Sequence, residues 1–303
     1  MSPPADSGAR ARRLALGVLP WGWVLLFFVL PFALIVGVSV STPSLSIPPY
    51  TLPAGGIDPA SYARIAGEAA TLAQAGADRQ YLSAWGSALA LAAFTTLACL
   101  LIGYPFAYHI ARSRPGLRET LLMLVMLPFW TAFLLRVFAW QGLLDSSAVG
   151  VINQLLLAAG VIGNPLPMLY NRGAVAMGMV YSYLPFMVLP LYAHLVKLDV
   201  RLLEAARDLG ATPWRTFTQV TLPLSARGVV AGSLLVFIPA VGEFVIPDLL
   251  GGGNVSTIGR RIWEDFGPNQ DWPMAAAVAV LMLVVLSLPI MLLNRYGGED
   301  RRL

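Results

Sequence analysis

"EAARDLGATPWRTFTQVTLP", residues 204–223, lies between two long apolar runs and carries more charge than anything near it. Leu198, Leu202, Ala205, Ala206 and Leu209 recur at helical spacing, with Arg201, Glu204 and Arg207 opposite, which predicts a short helix over 199–209. Gly210 then supplies a left-handed stop, and Thr212 caps a second helix that has Pro213 in its first turn. Trp214 and Phe217 share one face of that helix, and Pro223 closes the unit. The segment reads as a helix–glycine–helix elbow. Its Ala-Ala pair and glycine favour close approach by another element, with the two aromatics as anchors for a groove. An interfacial linker lying on lipid headgroups is the alternative.

The surroundings of the elbow set the fold class. Hydrophobic residues make up 57% of the 303 and charged residues only 12%, a balance that excludes an ordinary soluble domain. Six segments reach the roughly 20 apolar residues that cross a bilayer, near 17–41, 81–108, 120–143, 174–196, 225–249 and 274–294. The expectation is an all-α membrane protein with six transmembrane helices. It has an N-terminal tail over 1–16, a transmembrane domain over 17–296 with the elbow loop at 197–223, and a C-terminal tail over 297–303. The first run follows "ARARR" but is too long for a signal-peptide core, so it reads as a retained span.

Arginine placement orients the chain. Fourteen of the twenty basic residues, among them Arg12, Arg112, Arg118, Lys197, Arg207, Arg227 and Arg302, fall on the side that holds the elbow and both tails. Five fall opposite (Arg64, Arg79, Arg172, Arg260 and Arg261), and Arg136 lies inside a span. The positive-inside rule then puts both termini and the elbow in the cytosol. The +4 net charge therefore belongs to membrane topology and calls for lipid, not nucleic acid, as partner. Cys99 is the single cysteine, and His109 and His194 sit at span ends, so neither a disulfide nor a metal site is expected. Every span contains proline, and with "GEFVIPDLLGGG" this predicts spans that bend around a pathway. Among the outer loops, Asp58 and Pro59 open a short helix over "ASYARIAGEAATLAQAG".

The elbow resembles the EAA loop of the inner-membrane permease subunits of bacterial binding-protein-dependent ABC importers. That pattern is Glu-Ala-Ala, three residues, Gly, nine residues, then Ile-x-Leu-Pro. Glu204, Ala205, Ala206, Gly210, Leu222 and Pro223 match its spacing, with Val220 in place of Ile. "LPFWTAFLLRVFAW", "PAVGEFVIPDLLGG" and "IGRRIWEDFGPNQDWPMAAAVAV" are similar to the polyamine permeases, and closest to the putrescine permease subunit. The resemblance implies a type I importer permease fold in a bacterial inner membrane. It implies that Glu204, Ala205, Ala206, Gly210, Trp214, Phe217, Leu222 and Pro223 seat a coupling helix on a cytosolic ATPase. The implied partners are a second, related permease in a heterodimer, two ATPase subunits that use ATP and Mg, and an external binding protein. Glu264, Asp265 and Asp271 are candidates for docking the binding protein.

This chain itself is expected to hold no cofactor and to catalyse no reaction. Its only lysine, Lys197, precedes Leu198, so it has no Walker A motif, and neither HExxH nor GxSxG occurs. A secondary transporter would carry its own ion-coupling acids and have no use for the elbow. A polyamine is a polycation, held best by carboxylates and aromatic faces. Trp130, Arg136, Trp140, Tyr181, Tyr183, Glu243, Phe244 and Asp248 are the candidate pathway residues. Arg136 and Glu243 each fall about 25 Å from the basic end of their spans, where both need protein or water around them. Two readings stand: a mutual salt bridge between the third and fifth spans, or Glu243 lining the path.

Overall fold

The structure, a computed structural model, describes residues 18, 20–51, 57–70 and 79–297. The chain divides into two compact units, Arg79–Arg261 and the residues on either side of it.

In the Arg79–Arg261 unit, three long helices form the core: α3 (Gln80–Arg112), α7 (Arg172–Leu195) and α9 (Pro213–Val241). Small residues let them approach. Ala84, Ala88, Ala92, Thr95, Cys99, Gly103, Ala107 and Ala111 form one buried stripe along α3 at nearly four-residue spacing. Such stripes bring membrane helices close enough for dispersion forces to act where no hydrophobic drive operates. The Cys99 thiol donates to the Val180 carbonyl of α7 at 3.5 Å. On α9, a Cβ at Gly232 would lie 2.8 Å from Met187 Sδ, and one at Gly228 3.0 Å from His194 Cβ.

Two of the expected spans are broken. The third is α4 (Pro115–Met126) with a 3-10 turn (Leu127–Trp130), then α5 (Phe133–Leu144), bent by 86°. Pro128 lies inside that turn and Thr131 and Ala132 are extended. The fifth ends at Val241 rather than running through 249, and α10 (Val245–Gly251) restarts beyond Gly242. Short helices complete the unit: α6 (Val151–Ala158), α8 (Val200–Asp208) and the start of α11 (Ile258–Phe266). By length and apolarity four helices can cross a membrane, five if the bent pair is one span, and Trp272–Leu288 is a shorter apolar stretch.

Pro223 was expected to close the elbow; instead the second elbow helix runs on as α9. A π turn over Phe217–Thr221 precedes the proline, with the Leu222 N–H bonded to the Phe217 carbonyl. The wider turn re-registers the ladder where Pro223 has no N–H to contribute. The same device recurs in α1 (Pro20–Ser39), where a π turn over Leu25–Val29 precedes Pro31.

The other unit contains α1, a two-residue hairpin pairing β1 (Thr42–Pro43) with β2 (Tyr50–Thr51), α2 (Ala60–Ala70) and α12 (Trp272–Gly297). Asp58 caps α2 as expected, accepting from the Ala60 N–H at 3.0 Å, and the continuation of that helix past Ala70 lies outside the described residues. The Tyr62 hydroxyl bonds Ser39 Oγ at 2.8 Å, and α12 packs on α1 and α2.

The core packing makes a prediction. Gly232→Val should lower the melting temperature of the detergent-solubilised protein by several degrees, a destabilisation of about 1–3 kcal/mol. Gly86→Ala, whose Cβ meets nothing within 4 Å, should not lower it.

Candidate functional site

The elbow is built as its residues predict. The Asp199 carboxylate accepts from the Arg201 N–H at 3.0 Å and starts α8. Gly210 has φ +83°, and the Ala211 N–H bonds the Ala206 carbonyl at 3.0 Å, closing the helix end. Thr212 Oγ1 accepts from the Arg215 N–H at 3.3 Å, and the Trp214 and Phe217 rings lie 5.7 Å apart. Phe217 then meets Tyr104 of α3 edge-on at 5.5 Å, and the Tyr104 hydroxyl bonds Ser225 Oγ at 2.7 Å. The elbow is thus locked to the start of α9 and to α3.

The apolar stripe of the elbow is left open. The residue of α8 that packs on the chain is Leu203, not the stripe of Leu202, Ala205 and Leu209. That stripe is open: Leu209 is 89% and Trp214 72% exposed, while Leu202, Glu204 and Ala205 are exposed as well. Leu222 and Pro223 lie on the exposed side of α9's first turns. Among the described residues, the elbow therefore presents apolar anchors that are largely exposed.

The second cluster sits at the other end of α9. At the break, Glu243 Oε1 accepts from the Val245 and Ile246 N–H groups at 2.9 and 3.3 Å, capping α10. Its Oε2 accepts from the Tyr183 hydroxyl of α7 at 2.6 Å. A Cβ at Gly259 would collide with the Gly242 carbonyl oxygen, so only glycine lets α11 start against this break. Asp248 pairs with Arg260 at 3.4 Å, and Arg260 also donates to the carbonyls of Gly252 and Val255. Arg260 was missed in the sequence because nothing local relates it to Asp248; the glycines of "GGGN" that fold the chain back were the one signal.

Arg136 and Glu243 do not form the salt bridge that one reading expected. Glu243 is drawn to the N–H groups freed by the break in α9. Arg136 instead lies over the Phe129 ring at 4.7 Å and the Phe133 ring at 5.7 Å, contacts worth about 0.5–2 kcal/mol each. It is 9% exposed. It lines a cavity with Trp140 and Tyr181, whose rings meet edge-on at 5.3 Å. Trp130 projects outward, and Phe244 is half-buried at the break. The structure thus gathers Tyr183 and Glu243 at one place and Arg136, Trp140 and Tyr181 at another.

The acids proposed for docking lie near the end of α11. Asp265 is 4% exposed and accepts from Asn269 Nδ2 at 2.9 Å. Asp271 pairs with Arg64 at 3.0 Å and accepts from the Met274 N–H, while Glu264 is half-buried.

Glu243→Ala would strand two N–H groups and the Tyr183 hydroxyl, and should cost about 2–4 kcal/mol in thermal unfolding of the purified protein. Glu243→Gln keeps an acceptor for the N–H groups and should cost no more than about 1 kcal/mol.

Over residues 101–297 the chain matches the family described as "Binding-protein-dependent transport system inner membrane component". It is 44% identical over 211 residues to the "Spermidine/putrescine transport system permease protein PotB" of Haemophilus influenzae, covering 70% of this chain and 73% of that one. The protein of the same name in Escherichia coli K12 is 38% identical over 270 residues, covering 89% and 92%. In fold, it matches a bacterial ABC transporter involved in import of the acidic polysaccharide alginate, at TM-score 0.65 and 19% identity over 96% of each chain. It also matches the MetNI methionine ABC transporter, at TM-score 0.55 and 18% identity over 72% of this chain and 94% of that one.

Proposed function

The chain belongs to the inner-membrane components of binding-protein-dependent transport systems, and from that premise we propose that it forms half of the pathway of an ATP-driven importer for putrescine or spermidine. A second, related permease supplies the other half as a pseudo-two-fold partner. Two ATPase subunits, which bind ATP and Mg, sit on the cytosolic side, and an external binding protein delivers the solute. Glu264, Asp265 and Asp271 remain the candidates for its docking.

The observation that carries this reading is the open apolar face of the elbow. Leu202, Leu209 and Trp214 offer anchors of the kind that fill a partner's groove. The elbow is also placed to transmit motion. The helix from Pro213 to Val241 is continuous, about 43 Å long at 1.5 Å per residue, and ends at the Glu243 break. A push on Trp214 is then felt at the capped break, where α7, α9 and α10 meet.

Substrate class follows from charge. Asp248 has Arg260 as its counter-ion, whereas among the described residues Glu243 accepts from neutral donors, one hydroxyl and two N–H groups. Such a carboxylate attracts ammonium groups, with the half-buried Phe244 as an aromatic face beside it. Tyr183 holds the carboxylate in place and releases it as the break rearranges.

The elbow is tested by Ala205→Trp. This position is exposed and helical, whereas any side chain at Gly210 would strain the left-handed backbone by itself. Uptake, transport-linked ATP hydrolysis and co-purification of the ATPase should fall together, by roughly tenfold or more, about 1.4 kcal/mol of docking energy. Normal transport would make the elbow a lipid-surface linker. For the substrate, the complex in proteoliposomes should take up labelled putrescine or spermidine and not a neutral control. Glu243→Gln should lower that uptake about tenfold while ATP hydrolysis persists. Uptake equal to wild type in the folded variant would remove Glu243 from the path.

A further inference from the structure

Arg136 is the one pathway candidate whose charge opposes an ammonium solute. It is nine-tenths buried, and its Nε and Nη1 have no hydrogen-bond partner. Two aromatic rings flank it, but among the described residues no carboxylate pairs with it. The acids closest in the fold are committed elsewhere: α10 packs on α5, yet its Asp248 is bound to Arg260 and the Glu243 before it to Tyr183 and two N–H groups. A cation in that state calls for an anion from outside the chain.

The cavity beside it has a volume of about 410 Å³ and is lined by Thr131, Arg136, Ala139, Trp140 and Tyr181 among others. Its depth follows from the bend. The 12 residues of α4 rise about 18 Å and the 3-10 turn about 8 Å, so the bend lies about 26 Å from the basic end at Arg114. Because α5 turns away by 86°, Arg136 stays near that level, at the far edge of a hydrocarbon core about 30 Å thick. Here headgroup phosphates begin, and Trp130 and Trp140 are the residue type that belongs at that boundary. Leu134, Leu135 and Phe138 are exposed around the cavity, an apolar flank suited to acyl chains.

We propose that Arg136 and the cavity at the α4–α5 bend bind the phosphodiester headgroup of a membrane phospholipid, whichever solute the importer carries. The lipid supplies the oxyanion that the guanidinium lacks and ties the broken span to the bilayer surface.

The test uses the purified, delipidated complex in detergent. Three additions are compared: phosphatidylglycerol, a galactosyl diacylglycerol with the same acyl chains but no phosphate, and inorganic phosphate. Phosphatidylglycerol should raise the melting midpoint roughly 5 °C beyond the galactolipid, and inorganic phosphate should do nothing. Arg136→Gln should lose that increment while matching wild type in the galactolipid. Ala139→Trp, which fills the cavity and keeps the arginine, should lose it too. Native mass spectrometry of the wild-type complex, which needs no variant, should show one phospholipid retained through detergent exchange. An undiminished increment in either variant overturns the proposal, as does loss of all phospholipid from wild type. A rise with inorganic phosphate alone would assign the site to a free oxyanion. Absence of any lipid increment in wild type would leave a carboxylate of the paired permease as the counter-charge, and the lipid proposal would fail.

Discussion

Close approach of three helices is the constraint on which everything else in the larger unit rests. In lipid, helices gain nothing from leaving water, so they must gain from touching. Ala84, Ala88, Ala92, Cys99, Gly103, Ala107 and Ala111 strip α3 of bulk along one line, and Gly228 and Gly232 do the same for α9. Because Met187 and His194 of α7 fill the space those glycines leave, α7 and α9 have one register against each other. That register brings Tyr183 to Glu243 just beyond one end of α9, and the packing of α3 brings Tyr104 to Ser225 near the other.

A membrane imposes a second demand: a broken helix must satisfy its freed backbone groups from within the protein. The two broken spans meet it differently. Beyond Val241 a carboxylate serves as cap, taking the Val245 and Ile246 N–H groups on one oxygen and Tyr183 on the other. At the other break, Thr131 turns its hydroxyl back to the Pro128 carbonyl at 2.8 Å, and the charge nearby, Arg136, lies over the Phe129 and Phe133 rings. The π turns before Pro31 and Pro223 are a milder answer to the same demand, keeping helices continuous through prolines. Prolines alone therefore do not say which spans bend: Pro223 is absorbed, whereas Pro128 precedes an 86° turn.

The elbow shows how a surface can be legible before its partner is present. Most apolar stripes on short helices are covered by their own chain; among the described residues this one is not, because α8 is anchored by Leu203 from the opposite side. The family's likeness to solved importers supplies the fold at low identity, and one of those carries an acidic polysaccharide. Fold therefore says nothing of solute charge. Among the described residues, Asp248 is paired with Arg260 while Glu243 accepts from neutral donors, so the two carboxylates near the break are held differently.

Local chemistry made the elbow, the helix cap at Asp58 and the apolar segments readable from the chain alone. Each depends on neighbours within a few residues: Gly210 on its left-handed backbone, Thr212 on the N–H three residues on, a span on its own run of apolar side chains. The pairing of charges was not readable. Arg136 and Glu243 share a depth in their spans, and from depth alone a salt bridge is as natural as two separate sites. Tertiary structure decided it, because the break after Val241 releases N–H groups that bind a carboxylate at once, and Tyr183 arrives from 60 positions away to take its other oxygen. Arg260 reached Asp248 for the same kind of reason, through a chain reversal over glycines whose outcome depends on what packs against it. Sequence determines what each segment can form by itself; only packing determines which charged groups are left with each other and which are left alone.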